Sequence, residues 1–308
     1  MKYAQQTIDD ILQLKKQGFS NRYIANLLGI SKSGVSDVVN RNKKSKNGPR
    51  ILILDVETAA TLAYCFGRFN INLSQDNIHT EGGFILCACW RWYGEDVTYA
   101  THLSSEDVRK GNDKSAVKVL WDAIEQADAI VAHHGKAFDH KVIQARVLAN
   151  GLPPLPTVKV LDTKLIAKKY LKLPSNKLDS IGEYLGLGRK LDTGGISLWA
   201  DVQSGDRQAM TKMVEYCAQD VDLLHDVFDT VRKLGFANDV VNAAIYYEDE
   251  DTRCTVCGST DIEPTGRIVT TGVGAYDEYR CNNCGGVHRG RTNILTKEKR
   301  KSLLTKTA

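Results

Sequence analysis

Acidic and phenolic side chains with the spacing of a metal-dependent site are spread over the middle of the 308-residue chain. Asp55 and Glu57 stand two residues apart after the apolar run ILIL, and the alternation of a strand puts both carboxylates on one face. Tyr216 and Asp220 are four residues apart and share one face of a predicted helix. Asp139 falls in the first turn of another predicted helix. Carboxylate oxygens are ligands that Mg²⁺ prefers, so the pattern predicts bound divalent cations if these groups converge.

Each of these pairs is a weak signal alone, because D-x-E and Y-x-x-x-D arise by chance in many proteins. Asp at a helix start is common, so Asp139 could equally be an ordinary capping residue. Asp55 is different, because an acid at the end of a buried strand is costly to desolvate without a cation. The signal lies in the order of the three motifs along the chain.

In this order the motifs resemble those of the DEDD superfamily of metal-dependent exonucleases, in its tyrosine variant. ILDVET matches the first motif, AHHGKAFD the second and YCAQD the third. KLDSIGEYLGLGRK and GISLWADVQSGD, between the second and third motifs, are also similar to that family. The resemblance covers about residues 50–235.

The resemblance implies an α/β fold with a ribonuclease-H-like mixed sheet flanked by helices. It also implies removal of nucleotides from a 3′ end by hydrolysis of phosphodiester bonds, and we expect DNA as the substrate because of the N-terminal helices described below. Two Mg²⁺ or Mn²⁺ ions would stabilise the attacking and leaving oxygens. By the same resemblance Asp55 bridges both ions, Glu57 and Asp220 hold the ion beside the attacking water, and Asp139 helps to hold the other. Tyr216 orients the nucleophile, because an ordinary tyrosine pKa of about 10 makes it a poor base at neutral pH.

Two histidines near the second motif need separate interpretation. His134 stands where the family has Asn, and it could still hydrogen-bond the nucleic acid. The other branch of the family has a histidine five residues before its last Asp, where this chain has Glu215. The sequence therefore favours the tyrosine branch, and His140 is expected on a helix surface.

Four cysteines form a second candidate metal site. Cys254 and Cys257, then Cys281 and Cys284, make two C-x₂-C pairs separated by 23 residues, each followed by Gly. The pattern resembles a zinc ribbon and predicts one structural Zn²⁺ held by four thiolates. A redox pair is the alternative, but one pair would be sufficient for that role. The role of the ribbon stays open between nucleic-acid binding, partner docking and a stabilised tail. His288 is not expected to be a ligand.

The first 50 residues predict three helices and resemble the helix-turn-helix of recombinases and transposon-type regulators. Ser20 and Ser31 suit helix N-caps, and Gly29 suits the turn between the second and third helices. The third helix would enter the major groove of duplex DNA. The residues expected to face bases or phosphates are Lys32, Ser33, Ser36, Asn40 and Arg41. A helical adaptor that binds protein is the alternative, and the net charge of +7 over residues 1–50 favours DNA.

Hydrophobic periodicity places these motifs on elements. It predicts strands over 51–58, 84–92, 96–100, 129–132 and 158–161, and helices over 7–18, 115–127, 138–149, 163–170, 177–185 and 206–234. The resulting organisation is a helix-turn-helix domain (1–42), a basic linker (43–49), an exonuclease domain (50–236), a linker (237–252), a zinc ribbon (253–295) and a basic tail (296–308).

Composition limits the class of protein. The net charge of +4 divides into +7 over residues 1–50, −7 over 51–250 and +4 over 251–308, so basic ends flank an acidic centre. Basic ends favour contact with phosphate backbones. Apolar runs are too short to cross a bilayer, no export signal is recognisable, and the cysteines do not suggest disulfides, so we expect a cytoplasmic protein without membrane contact. The sequence does not resolve a bacterial, archaeal or viral origin.

The expected partners are single-stranded DNA at the acidic site and duplex DNA at the helix-turn-helix. No polymerase segment is recognised, so a proofreading role would require a polymerase or another replication or repair protein. The alternatives are an exoribonuclease of the same fold and a DNA-binding regulator with a silent nuclease domain. A helix-turn-helix favours DNA, because the deep, narrow major groove of A-form RNA excludes a helix. A transposase or junction resolvase would lack the late Y-x-x-x-D.

Overall fold

The structure, a computed structural model, describes residues 5–16, 19–43, 48–67, 69–190, 194–234 and 241–305. The helices are α1 (Gln5–Lys16), α2 (Asn21–Leu28), α3 (Lys32–Lys43), α4 (Ser105–Lys110), α5 (Lys114–Glu125), α6 (Asp139–Ala149), α7 (Thr163–Tyr170), α8 (Leu178–Tyr184), α9 (Ser197–Ser204), α10 (Arg207–Val231) and α11 (Lys297–Lys301). The strands are β1 (Ile51–Thr58), β2 (Leu62–Ala63), β3 (Ile78–Thr80), β4 (Ile85–Trp92), β5 (Thr98–His102), β6 (Ala129–Ala132), β7 (Lys159–Asp162), β8 (Ile262–Thr271), β9 (Gly274–Cys281) and β10 (Val287–Arg289). Short 3₁₀ helices are Gln75–Asn77, Arg232–Leu234 and Ala243–Tyr246.

A five-stranded mixed sheet forms the centre, in the order β5-β4-β1-β6-β7. β1 pairs antiparallel with β4 and parallel with β6, and β6 pairs parallel with β7. The apolar run ILIL forms the buried part of the central strand β1, as its sequence predicts. The predicted mixed α/β sheet flanked by helices is therefore confirmed.

Alternate residues of β1 face two different helical layers. Ile51 and Ile53 lie in a core that α7, α8, α9 and α10 complete, whereas Leu52 and Leu54 lie in a core that α5 and α6 complete. The period of two continues past ILIL, so Asp55 and Glu57 follow Ile51 and Ile53 towards the α10 side.

Most predicted elements are confirmed within two residues. Strand 129–132 and helix 163–170 have the predicted bounds, while the strand predicted over 96–100 is displaced to Thr98–His102. Helix 138–149 begins one residue later, at Asp139. The sequence also predicts Gly235 as the C-terminal stop of the long helix 206–234, and this residue lies outside the described residues.

The three N-terminal helices pack around a small core of their own. The Ser20 side chain accepts a hydrogen bond from the Tyr23 amide, as predicted for the N-cap of α2. Ser31 does the same for the Gly34 amide at the start of α3. Gly29 ends α2 in the left-handed conformation, with φ 66°, which favours glycine.

Two expected linkers differ from the structure. Lys43, the first residue of the linker expected at 43–49, is the last residue of α3. Val241 is 8% exposed and joins the core that α10 packs against, and the 3₁₀ helix Ala243–Tyr246 follows it. Apolar residues within the expected linker 237–252 therefore extend the core past residue 236.

The C-terminal part contains the three-stranded antiparallel sheet β10-β9-β8. Its buried core is very small and consists of Cys254, Val256 and Cys281. The short helix α11 lies in the stretch expected to be a basic tail. Among the described residues, no helix combines the length and apolar character that spanning a bilayer requires.

Candidate active site

The acidic site lies where β1 ends, between the sheet and α10. Asp55 and Glu57 project from β1, and Asp220 comes from the middle of α10. One carboxylate oxygen from each of these three residues lies within 4.8 Å of the other two. Asp220 is 1% exposed, while Asp55 and Glu57 are half-buried. The strand and the helix thus bring together acids that are more than 160 positions apart in the sequence.

Asp139 lies beside this trio of acids but is not part of it. It is 2% exposed at the first turn of α6, which follows the parallel strand β6. β1 and β6 pair only as far as Ile53 and Val131, and beyond that point the Val56 amide hydrogen-bonds to the Asp139 carboxylate. Its charge still reaches Asp55, where it is the largest contribution after burial to a raised pKa.

The acids repel one another because they are crowded and shielded from water. Burial, together with the charges of its acidic neighbours, raises the pKa of Asp55 well above its ordinary value. Burial and then the charge of Asp220 raise the pKa of Glu57 to about 7. Burial also raises the pKa of Asp139 to about 7. A pocket of carboxylates with raised pKa values favours an added positive charge.

Lys190 supplies one positive charge from within the chain. Its Nζ donates to Asp220 Oδ2 and, at 3.2 Å, to Tyr216 Oη. Its main-chain amide donates to Asp179 Oδ1 at 2.9 Å, which fixes the lysine against α8. Burial would lower the pKa of Lys190, but the charge of Asp220 outweighs it and holds that pKa above its usual value. The ammonium ion is therefore part of the acidic site.

Tyr216 lies one helical turn before Asp220, on the same face of α10. Its ring packs edge-to-face with Trp199 of α9, with centroids 6.4 Å apart. Burial, and next the charge of Asp220, raise the pKa of the Tyr216 hydroxyl. The phenol therefore stays protonated at neutral pH and can orient a water molecule but not act as a base.

The loop before Asp139 is held by a buried carboxylate. Asp162 is 2% exposed, and its two oxygens accept from the main-chain amides of His134, at 3.1 Å, and Lys136, at 3.2 Å. His134 adopts the left-handed conformation with φ 72°, and its side chain is exposed. A Cβ on Gly135 would lie 2.4 Å from Ala132 Cβ, so the turn requires glycine. This loop sets where α6 begins and thus where Asp139 points.

His133 beside that loop gives the protein a pH-dependent stability. Its Nε2 donates to the Asn176 carbonyl at 3.0 Å, so Nδ1 accepts from the Thr163 hydroxyl at 2.9 Å and the ring is neutral. Burial lowers the pKa of His133 to about 4. As the pH falls below the unfolded-state pKa of about 6.5, the unfolded chain takes up the proton first, and stability is lost towards pH 4.

We therefore expect wild-type protein to lose about 2 kcal/mol more than a His133→Asn variant between pH 7.5 and pH 5. All four tryptophans lie between residues 90 and 199, so their fluorescence during urea unfolding follows this part of the chain. Equal losses in the two proteins would contradict the assignment of a neutral His133.

Three supporting residues were not predicted from the sequence. Lys190 is the last residue of KLDSIGEYLGLGRK and Asp162 is the last residue of β7, and only the fold brings these two side chains to the acids. Cys217 is fully buried, and its thiol donates to the Asp55 carbonyl at 3.5 Å. The sequence signal that could have identified Cys217 is its position between Tyr216 and Asp220 on α10.

Five of the residues expected to contact nucleic acid lie on α3, and the sixth, His134, lies in the loop before α6. Lys32 and Ser33 are exposed at the start of α3, whereas the Ser36 hydroxyl accepts from Asn21 Nδ2 at 3.1 Å within the helical bundle. Asn40 and Arg41 lie on α3, and their side chains are outside the described residues. His140 is half-buried on α6, so the expected surface position is only partly matched.

The four cysteines of the C-x₂-C pairs converge at the base of the C-terminal sheet. One Sγ from each lies within 4.8 Å of the other three, including Cys254 to Cys284 at 3.5 Å and Cys257 to Cys281 at 3.7 Å. The Val256 and Cys257 amides donate to Cys254 Sγ at 3.4 and 3.5 Å. His288 Nε2 is 3.1 Å from the same sulfur, although the sequence did not indicate a role for this histidine.

Comparison with protein families agrees with the fold. A family model described as RNase_H superfamily matches residues 75–232, which is more than half of the chain. The match includes Asp139, Tyr216 and Asp220. It begins after β1, so Asp55 and Glu57 lie outside the matched range, and their position in the structure assigns them to the acidic site. No curated protein matches the chain. The superfamily generally hydrolyses phosphodiester bonds of nucleic acids and typically uses divalent metal ions. Given this match and the five-stranded mixed sheet, the chain belongs to the RNase_H superfamily.

Proposed function

We propose that the chain is a 3′-5′ exonuclease that uses two divalent metal ions to hydrolyse phosphodiester bonds of DNA. The convergence of Asp55, Glu57 and Asp220 within 4.8 Å, next to Asp139, is the observation that carries this proposal. The direction of cleavage and the preference for DNA come from the sequence motifs and from the expected DNA-binding modules.

The donor set fits Mg²⁺ or Mn²⁺. Asp220 Oδ1 is buried, and no described atom hydrogen-bonds it, which is unfavourable for a carboxylate oxygen unless a ligand completes its contacts. Lys190 offers one positive charge to a site of four acids with raised pKa values. Oxygen ligands without nitrogen or sulfur are those that hard divalent cations select.

Asp55, Glu57 and Asp220 would hold one cation, and Asp55 with Asp139 would hold the other. When bound, the ions would stabilise negative charge on the attacking and leaving oxygens of the phosphodiester. The Tyr216 hydroxyl, kept protonated, donates to or accepts from the attacking water and fixes its direction. Lys190 keeps its ammonium beside that hydroxyl and limits how far Tyr216 can turn.

The DNA-binding modules are part of the same proposal. Residues 1–42 would form a helix-turn-helix that grips duplex DNA, with Lys32 and Ser33 exposed for contact. Residues 253–295 would form a zinc ribbon in which the four cysteines hold one structural Zn²⁺. Arg280, Arg289 and Arg291 in this stretch favour contact with phosphates.

The proposal is tested with oligonucleotides labelled at one end. With Mg²⁺ and single-stranded DNA, a 3′ label should be released at once as a mononucleotide, while a 5′ label should give a ladder of shortening products. The opposite pattern would contradict the polarity. Faster trimming of RNA would identify an exoribonuclease. Duplex binding without cleavage of any substrate would identify a DNA-binding regulator.

A further inference from the structure

Three aromatic rings stand out from the surface in the segment that joins β1 to β3. Relative to its reference accessible area, Tyr64 is 70% exposed, Phe69 is 88% exposed and Phe66 is 108% exposed. We call these three residues the aromatic segment. Rings this exposed and this close together in the sequence often mark a binding surface, because exposure to water is unfavourable for them.

The base of the aromatic segment is firmly attached. The Ala60 amide donates to Gln203 Oε1 at 3.0 Å, and Gln203 Nε2 donates back to the Ala60 carbonyl at 2.9 Å. On the returning side, a Cβ on Gly82 would lie 2.5 Å from the Ala59 carbonyl oxygen, so the two ends of the segment touch. The rings are therefore carried on a segment whose start and end are fixed to α9 and to each other.

The same helix connects the segment to the acidic site. α9 clamps Ala60 through Gln203 and packs Trp199 against Tyr216. Tyr64 follows Glu57 by seven residues, so its Cα lies within about 25 Å of the acidic site even if the chain is fully extended. Phe138, which directly precedes Asp139, is also exposed, at 43%.

The chemistry of the segment suits a nucleic-acid strand. Every base has a π-face, so exposed rings bind single strands by stacking without regard to sequence. Residues 59–73 contain no Asp or Glu, and the first acid that follows them in the sequence is Asp76, which precedes the Asn77 that pairs with the main chain of Tyr64. Tyr64 is already oriented, because its ring packs edge-to-face with His79 at 5.3 Å.

We propose that Tyr64, Phe66 and Phe69 stack on unpaired bases of the substrate strand and hold that strand as its end enters the acidic site. This inference rests on the proposed nuclease function. It assigns the occupant of the segment as single-stranded nucleic acid rather than a protein partner or a second copy of the chain.

The test compares variants of the full chain that keep aromatic rings at these positions with variants that remove them. Binding of a fluorescein-labelled single-stranded DNA is measured by anisotropy without added divalent cation, with a gel check that the DNA stays intact. Phe66→Leu/Phe69→Leu should bind roughly tenfold more weakly or worse, whereas Phe66→Trp/Phe69→Trp should bind as wild type with its fluorescence quenched by DNA. Ile245→Ala, at an exposed apolar residue elsewhere, serves as the control and should have no effect.

An abasic oligonucleotide, which offers no bases for stacking, distinguishes base stacking from non-specific binding. Wild-type protein should bind it about as weakly as the double leucine variant binds normal DNA. If the leucine variant binds normal DNA as tightly as wild type, the inference is wrong. A change of oligomeric state without a change of DNA binding would also overturn it and assign the segment to a second copy.

A small substrate separates this inference from the proposed function. The p-nitrophenyl ester of thymidine 5′-monophosphate has no neighbouring bases, so wild type and the leucine variant should hydrolyse it equally with Mn²⁺. If neither protein hydrolyses the ester, the proposed function fails, whereas a loss of activity confined to the leucine variant would overturn the stacking role.

Discussion

Replacing Asp55 by Asn should lower the rate of Mg²⁺-dependent trimming of single-stranded DNA by about 10³-fold or more, because one carboxylate would serve both cations. Asn keeps the shape of the side chain but removes the charge that cation binding requires. Asp220→Asn should have a similar effect on the rate. The measurement is the initial rate of nucleotide release from an end-labelled oligonucleotide.

The effect of Asp55→Asn is the easier of the two to interpret, because this variant should not destabilise the fold. Asp55 ionises against repulsion from neighbouring acids, so its loss should leave the melting temperature without added cation unchanged or higher. Asp220→Asn also takes away the partner of Lys190, and we expect it to destabilise the fold. Duplex binding should be intact in the Asp55 variant. This combination separates a chemical defect from unfolding.

A matched control comes from the same helix. Asp226 lies on α10, its side chain is 53% exposed, and it pairs with His225 at the surface. Asp226→Asn should therefore trim DNA at the wild-type rate. Retention of more than a tenth of the rate by Asp55→Asn would rule out the proposed acidic site.

Removing the four thiolates should have the largest effect on stability. The core around Cys254, Val256 and Cys281 is too small to hold β8, β9 and β10 together, so folding of this part would depend on zinc. Structural zinc sites contribute about 10–16 kcal/mol at neutral pH. The variant with Ser at positions 254, 257, 281 and 284 should contain no zinc, and protease should digest residues 253–295.

Wild-type protein should carry one Zn²⁺ per chain, measured by elemental analysis after extensive dialysis. The Cys257 thiol is prepared for this role, because burial is outweighed by the Ser259 amide and its other hydrogen-bond partners, which lower its pKa to about 7. Cys65→Ser is the control, since Cys65 is exposed and distant in sequence from the C-x₂-C pairs. A quadruple serine variant that stays protease-resistant would contradict a structural zinc site.

Local patterns were sufficient to predict most of the sheet and its helices. ILIL and AIVA are long enough apolar runs to specify the buried strands, and Ser20 and Gly29 specify the ends of α2 through their own backbone chemistry. The strand at 98–102 was displaced in the prediction because β5 lies at the sheet edge and its residues are mostly exposed. An edge strand has a weak apolar pattern.

The sequence predicted which acidic residues form the site, but it did not predict the residues that surround them. Spacing alone predicted that Asp55 and Glu57 share one face of a strand and that Tyr216 and Asp220 share one face of a helix, because the periods of strands and helices are fixed. Contacts such as Lys190 with Asp220 join residues 30 positions apart through a loop, and no local period encodes them. The roles of the acids, the four cysteines and the DNA-facing residues stay predictions.

The aromatic segment shows a different limit. Its rings follow no strand or helix period, and residues 62–63 and 78–80 pair only as a two-stranded ribbon. Exposure depends on which side chains happen to lack neighbours in three dimensions, and a sequence does not state this. The sequence therefore did not distinguish the aromatic segment from an ordinary loop.

The contact of Lys190 with Asp220 means that the nuclease pocket carries its own tethered counterion. We therefore expect the chain to fold without added cation, because Lys190 offsets part of the repulsion among the four acids that would otherwise separate α10 from the sheet. Loading a divalent ion at the acidic site would exchange one positive charge for another at Asp220, while the Lys190 ammonium stays beside the Tyr216 hydroxyl. Such an exchange would make metal uptake sensitive to the ambient Mg²⁺ concentration.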